Sequence, residues 1–211
     1  MVVTFPFAFD GKETPEHVEY GNIFVAVTRK NLPNAIVVQM ADMTTKAIGN
    51  VDSVYRTPAG LAPEGASIHK AAPGIAFAEW YFDAMINFPS EEFVRLDYDV
   101  MVRGDISDVF EHPFDIAIAK EDKGRMNNGV VFVKNKAFFS EAKRAYLDTQ
   151  KDNWQDVQTA MQVTIDTGYF RVRKLPQTYN QLFDPAKPFP ADTKLLHFKG
   201  SRKNELVGYP R

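Results

Sequence analysis

Phe93-Val94-Arg95-Leu96-Asp97-Tyr98-Asp99-Val100-Met101-Val102 is the stretch on which the reading of this chain turns. It is apolar, as a buried strand would be, yet carries two carboxylates spaced Asp-x-Asp. Carboxylates at the tip of a buried strand are costly to desolvate unless something positive sits between them. Side chains i and i+2 of a strand point the same way, so Asp97 and Asp99 could chelate one ion together. Magnesium or manganese suits such hard oxygen ligands, and both commonly bring phosphate with them. A strand-end turn with two solvated aspartates is the plainer alternative, because short motifs often match by chance.

Around this stretch, strands alternate with helices. Met1 to Phe7 reads as a first buried strand. Thr14-Pro15 predicts a helix start, with threonine as cap and proline in the first turn, and a helix running to about Lys30. Asn31-Leu32-Pro33-Asn34 would end it, and Ala35 to Gln39 forms the next strand. Residues 60–74 read as a loop, and Ile75 to Phe88 has helical spacing. Asp115 to Ala119 and Val130 to Val133 are short strands, and Phe138 to Leu147 and Trp154 to Val163 read as helices. The tail from Pro176 shows little periodicity. The pattern predicts a three-layer α/β fold, with one domain over residues 1–211.

Composition narrows the function classes. The 211 residues are 45% hydrophobic and 25% charged, enough for a real core. A net charge of −2 argues against a general polyanion binder, although Lys194, Lys199, Arg202, Lys203 and Arg211 make the end locally basic. No cysteine means no disulfide, no zinc–thiolate site and no cysteine nucleophile. No signal-like segment or bilayer-length apolar run is seen, so a soluble, cytoplasmic protein is expected. There is no G-x-G-x-x-G and no P-loop motif, and Gly65-Ala66-Ser67-Ile68-His69 lacks the closing glycine of a nucleophile elbow. His17 and His112 read as surface or capping residues. Asp105 reads as the cap of the helix after it, and Arg95 could reach a phosphate or pair with a carboxylate.

Five segments, in order, resemble glycosyltransferase family 8, the glycogenin and lipopolysaccharide galactosyltransferase family. Leu96 to Phe110 resembles its L-D-x-D-x-x-x-x-x-D-I-x-[ED]-L-F segment. Met126-Asn127-Asn128-Gly129-Val130 resembles its F-N-[SA]-G-V strand, and Trp154-Gln155-Asp156 its D-Q-D helix start. Leu175-Pro176 with Tyr179-Asn180 resembles L-P-x-x-[YF]-N, and His197 to Lys203 keeps H-x-x-G-x-x-K. The resemblance covers about residues 90 to 205.

The resemblance implies a GT-A fold, a central mixed sheet flanked by helices. It also implies transfer of a sugar from a nucleotide donor, a uridine diphosphate sugar, with retention of configuration. Asp97, Asp99 and His197 would hold Mn2+ or Mg2+. Lys203 and the backbone at Gly200 would meet the diphosphate, and Thr4, Arg95 and Tyr98 are further candidates for donor contacts. Asn127, Gln155 and Asp156 are candidates for the sugar pocket, because amides both donate to and accept from sugar hydroxyls. Trp154 stands where the family has an acidic residue, and the usual proline and tryptophan after the lysine motif are missing. The acceptor is left open between a glycan, a lipid-linked glycan and a modified base in nucleic acid. A non-catalytic nucleotide-sugar-binding protein is the main alternative. A sugar-1-phosphate nucleotidyltransferase is disfavoured, because Phe5 to Gly11 lacks the basic, glycine-rich loop it would need.

Overall fold

The computed structural model describes residues 1–9, 11–57, 74–120, 126–149 and 155–209. Strand β1 (Val2–Pro6) opens the chain as a near-continuous apolar run, as a strand covered on both faces requires. Helix α1 (Pro15–Asn31) starts where the sequence predicts. The Thr14 hydroxyl accepts from the His17 N–H, and the His17 ring accepts from the Thr14 N–H, both at 3.3 Å. This reciprocal cap satisfies two N–H groups that helix geometry orphans. His17 is therefore a capping residue, as expected. Strand β2 (Ile36–Ala41) then lies parallel to β1, and β3 (Ser53–Arg56) parallel to β2.

Helix α2 (Gly74–Asn87) leads to β4 (Phe93–Leu96), which pairs in parallel with the other side of β1. The chain thus steps from β1 to β2 in one direction and to β4 in the other. Such a reversal opens a crevice at the carboxyl ends of the two central strands, where open α/β sheets usually take their ligands. Strand β5 (Val100–Val102) leaves that edge for a second sheet. Strands β6 (Ile116–Lys120) and β7 (Met126–Val133) return antiparallel to each other, and β7 is also antiparallel to β4. Helices α3 (Ala137–Thr149) and α4 (Gln155–Asp166) precede β8 (Val172–Leu175), which is parallel to β6.

The order among the described residues is β3-β2-β1-β4-β7-β6-β8. Strands β9 (Gln181–Leu182) and β10 (Leu195–His197) form the small sheet β5-β10-β9, and α5 (Lys203–Gly208) closes the described chain. Phe5, Phe24, Phe132 and Leu196 belong to the core on one face of the large sheet. Phe82, Phe93, Phe138, Tyr146 and Met161 belong to the core on the other. Burying one such side chain is worth roughly 1.5–3 kcal/mol, so two full cores hold the edge between them rigidly. The expected three-layer α/β architecture is the observed one.

Two expectations change. Residues 93–102 are not one strand: β4 ends at Leu96, and Asp97-Tyr98-Asp99 is a turn closed by the Val100 N–H to the Asp97 carbonyl at 3.0 Å. The apolar run continues because both flanking strands are buried, although they belong to different sheets. The tail read as aperiodic contains β9 and β10, which are too short to show a period of two. The loop expected over residues 60–74 falls almost wholly outside the described residues, and Gly74 already opens α2.

Candidate metal centre

Main-chain hydrogen bonds, not strand alternation, bring the three expected ligands together. The Asp97 N–H donates to the Gly129 carbonyl of β7 at 2.8 Å, which fixes where β4 gives way to the turn. The Asp99 carbonyl accepts from the Phe198 N–H at 2.9 Å, and antiparallel pairing sets His197 opposite Val100. Asp97, Asp99 and His197 then each offer a ligand atom, all within 4.8 Å of one another. His197 Nε2 lies 3.3 Å from Asp99 Oδ1 and 3.9 Å from Asp97 Oδ2.

The charge of this cluster is balanced unevenly from atom to atom. Asp99 is 3% exposed, and among the described residues Asp99 Oδ1 has no hydrogen-bond donor. Burial alone would raise the Asp99 pKa; His197 and the Lys203 ammonium outweigh it and hold it well below the usual carboxylate range. Lys203 Nζ sits 3.0 Å from Asp99 Oδ2 and 4.6 Å from the Tyr98 ring centre. Burial opposes the lysine's charge, but Asp99 raises its pKa above the ordinary lysine range. His197 Nδ1 meets Asn180 Oδ1 at 2.9 Å. An amide oxygen can only accept, so Nδ1 carries the proton and Nε2 faces the two carboxylates.

The residues fit the ion. Two carboxylates and an imidazole are a donor set suited to manganese. The space between them depends on Gly129: a Cβ there would lie 2.6 Å from both Asp97 Oδ2 and His197 Cε1, and 2.7 Å from Asn127 Oδ1. Each ligand is also held from behind. Arg95 Nη2 pairs with Asp97 Oδ1 at 2.5 Å, Lys203 holds Asp99, and Asn180 holds His197. Outer partners of this kind orient ligands before an ion arrives.

The other candidates divide. Arg95 is 3% exposed, donates to the Asn128 carbonyl as well as to Asp97, and lies 5.3 Å from the Tyr81 ring centre. Of its two expected roles, pairing with a carboxylate is the one observed. Thr4 is fully buried within β1, its hydroxyl donating to the Val94 carbonyl at 3.4 Å, so it has no surface to offer a donor. The Tyr98 ring packs edge-on to Phe7 and Phe9, and its hydroxyl accepts from Lys203 at 3.3 Å. Asn127 is buried with Oδ1 accepting from the Gly129 N–H at 2.6 Å; it shapes the strand beside the cluster. Gly200 has φ +69°, the left-handed region glycine favours, and turns the chain from β10 toward Lys203. Asp105 does not take the expected cap position: Ile106 stands there, ahead of the short 3-10 helix Ser107–Glu111, and Asp105 accepts instead from the Ser107 N–H at 2.9 Å in a local turn. Gln155 opens α4, but its side chain and that of Asp156, and all of Trp154, lie outside the described residues.

The whole chain can now be set beside known proteins. No family model matches it, and no curated protein matches it. Solved structures do. The galactosyltransferase LgtC, in complex with donor and acceptor sugar analogs, superposes with a TM-score of 0.60 at 14% identity over 99% of this chain and 95% of LgtC. The glycosyltransferase GlyE of Streptococcus pneumoniae TIGR4 gives 0.63 at 13% identity over 99% of this chain and 60% of GlyE. The chain has the GT-A glycosyltransferase fold. Such low identity speaks for the GT-A fold and does not single out family 8 within it. In this GT-A sheet the Asp97-Tyr98-Asp99 turn stands at the carboxyl end of β4, beside the reversal between β1 and β4.

Two residues of the centre carried no assigned role in the sequence. Asn180 and Gly129 both stood inside matched segments, yet neither is a ligand type that draws attention. The signals that could have found them are a polar residue beside the histidine strand and a glycine in an otherwise apolar strand, which often marks a close approach.

Proposed function

We propose that this protein is a metal-dependent glycosyltransferase that moves a sugar from a nucleoside diphosphate sugar, a uridine diphosphate sugar, to an acceptor. The observation that carries the reading is the Asp97–Asp99–His197 cluster, with the Lys203 ammonium beside it, at the ligand-binding edge of a GT-A sheet. Mn2+ or Mg2+ bound there supplies charge neutralisation at the diphosphate as the sugar leaves. Asp97 and Asp99 each present one oxygen, and His197 presents Nε2. Lys203 is partly exposed on the short helix α5 and can turn from Asp99 toward a phosphate oxygen. The backbone at Gly200, a left-handed turn three residues before Lys203, is assigned to the same diphosphate. Gln155 and Asp156, at the start of α4, are assigned to the sugar, with Asn127 supporting them.

One GT-A unit accounts for residues 1–211 in this proposal. Retention of configuration and a place in family 8 follow from the sequence resemblance. No helix among the described residues is long and apolar enough to cross a membrane; a cytoplasmic site of action belongs to the proposal. The acceptor class is a glycan, a lipid-linked glycan or a modified nucleic-acid base.

The test is release of nucleoside diphosphate from a panel of nucleotide sugars, with Mn2+, Mg2+ or excess chelator. Turnover with metal, its loss with chelator, and its loss in a folded Asp99→Asn variant are expected. Full turnover in chelator would sink the reading. Binding of donor without turnover would favour the non-catalytic alternative, which the tryptophan at position 154 keeps specific.

A further inference from the structure

The two carboxylates of the centre are balanced in different ways. Each offers its inner oxygen to the site and has its outer oxygen held by a cation: Arg95 on Asp97 Oδ1, Lys203 on Asp99 Oδ2. The side chain of Lys203 is 29% exposed and sits on a six-residue helix, so its ammonium can leave. Arg95 cannot. Its side chain is 3% exposed, it rises from the middle of the large sheet, and it is fastened to Asp97, to the Asn128 carbonyl and to the face of Tyr81. A guanidinium stays charged under all ordinary conditions. The centre therefore carries a permanent positive charge directly behind one of its two acidic ligands.

We infer that Arg95 is a positioning residue that restricts Asp97 to one ligand oxygen and cancels its charge, so that the centre holds a divalent ion weakly until a nucleoside diphosphate supplies further negative charge. The inference rests on the metal reading of the cluster given above. Its physical content is simple. With Arg95 and Lys203 in place, two negative and two positive charges cancel, and an incoming dication meets a nearly neutral site. Lys203 can move to the diphosphate and so restores Asp99 to the ion. Arg95 stays, so Asp97 never regains its full charge. An ion bound alone faces that repulsion unaided; an ion bound with a diphosphate is shared with phosphate oxygens, which are hard ligands well suited to Mg2+ and Mn2+. The consequence is that ion and nucleotide bind cooperatively, and by linkage each raises the affinity for the other equally.

The experiment counts free Mn2+ by electron paramagnetic resonance as it is titrated into the full chain, with and without uridine diphosphate. The wild type is expected to bind Mn2+ weakly alone and at least tenfold more tightly with the nucleotide. Arg95→Gln keeps donors for Asp97 and the Asn128 carbonyl but removes the charge. It should bind Mn2+ alone roughly tenfold more tightly than the wild type, the scale of one full charge removed from a few ångströms away, and the gain from nucleotide should shrink. Arg95→Lys keeps the charge and should leave Mn2+ affinity within about threefold of the wild type. Unchanged or weaker Mn2+ binding in Arg95→Gln overturns the inference and makes Arg95 a purely structural residue. If that variant does not fold, a tenfold gain in Arg95→Lys overturns it equally, since charge would then not be what matters. No Mn2+ binding by the wild type in either condition is a different failure: it removes the metal reading itself, and the inference with it.

Discussion

The two halves of the centre are built on unequal foundations. The Asp97 half stands on the large sheet: β4 is hydrogen-bonded on both sides, the Asp97 amide is tied to β7, and Arg95 behind it is buried between two cores. The His197 half stands on a three-stranded sheet whose β9 and β10 are two and three residues long, followed by a left-handed glycine and a six-residue helix. The first half can hold a geometry, and the second can give way. The comparison teaches where binding energy and motion should separate: changes on the β4–β7 side should cost metal and stability, whereas changes past His197 should cost nucleotide with little loss of fold.

Gly129→Ala tests the rigid half and should have the largest effect. Its Cβ would stand 2.6 Å from Asp97 Oδ2 and His197 Cε1, and the neighbours are fixed. Mn2+ binding should be lost, with destabilisation of about 1–3 kcal/mol from overpacking, read by urea unfolding beside the metal titration. Wild-type Mn2+ affinity in this variant would show that the cluster is looser than described. Lys203→Ala tests the yielding half. Nucleotide affinity should fall by roughly 1–3 kcal/mol, the scale of hydrogen bonds to charged groups, with the fold retained but somewhat less stable, because buried Asp99 loses one ion-pair partner; Lys203→Arg should not fully restore the affinity, because a fork fits a phosphate differently from a point charge. Calorimetry with uridine diphosphate decides it, and unchanged affinity would leave the ammonium as a partner of Asp99 alone.

Asn180→Ala sharpens the boundary between the halves. It frees His197 Nδ1 and should weaken Mn2+ about 10–100-fold, the usual cost of losing an outer partner, without matching the complete loss in Gly129→Ala. Gly200→Ala should have the smallest effect. Its Cβ would meet nothing within 4 Å among the described residues, so the φ of +69° is what matters, a cost of about 1–2 kcal/mol. Nucleotide binding should weaken modestly and Mn2+ binding alone should not change; a fall in Mn2+ affinity would mean that the turn also positions His197.

The same contrast governs what was legible in the sequence. Helix α1 could be read because Thr14 and Pro15 act locally, and the cap forms as their chemistry predicts. The cluster of Asp97, Asp99 and His197, which could hold a metal ion, could be named because motif spacing survives even where the chain around it is short. Why they converge could not be read. Strand alternation predicts that Asp97 and Asp99 share a face, whereas a turn and pairing to a strand almost a hundred residues later bring them together. Small strands held by long-range pairing leave no periodic trace, so β9 and β10 lie in a tail whose sequence shows little periodicity. Arg95 and Thr4 show the remaining limit. A polar residue in a buried strand signals that a partner exists, but only the fold says whether that partner is a ligand or the neighbouring strand.

The central claim is that ligands from the two sheets close on one divalent ion. Mn2+ titration in the presence of uridine diphosphate, followed by electron paramagnetic resonance, tests it most directly when Asp97→Ala and His197→Ala are compared with the wild type. One tightly held Mn2+ per chain in the wild type, and at least tenfold weaker binding in both variants while each stays folded, is the result predicted here. Wild-type affinity in His197→Ala, with loss in Asp97→Ala alone, would contradict it: the ion would then belong to the large sheet only, and the small sheet would have no part in holding it.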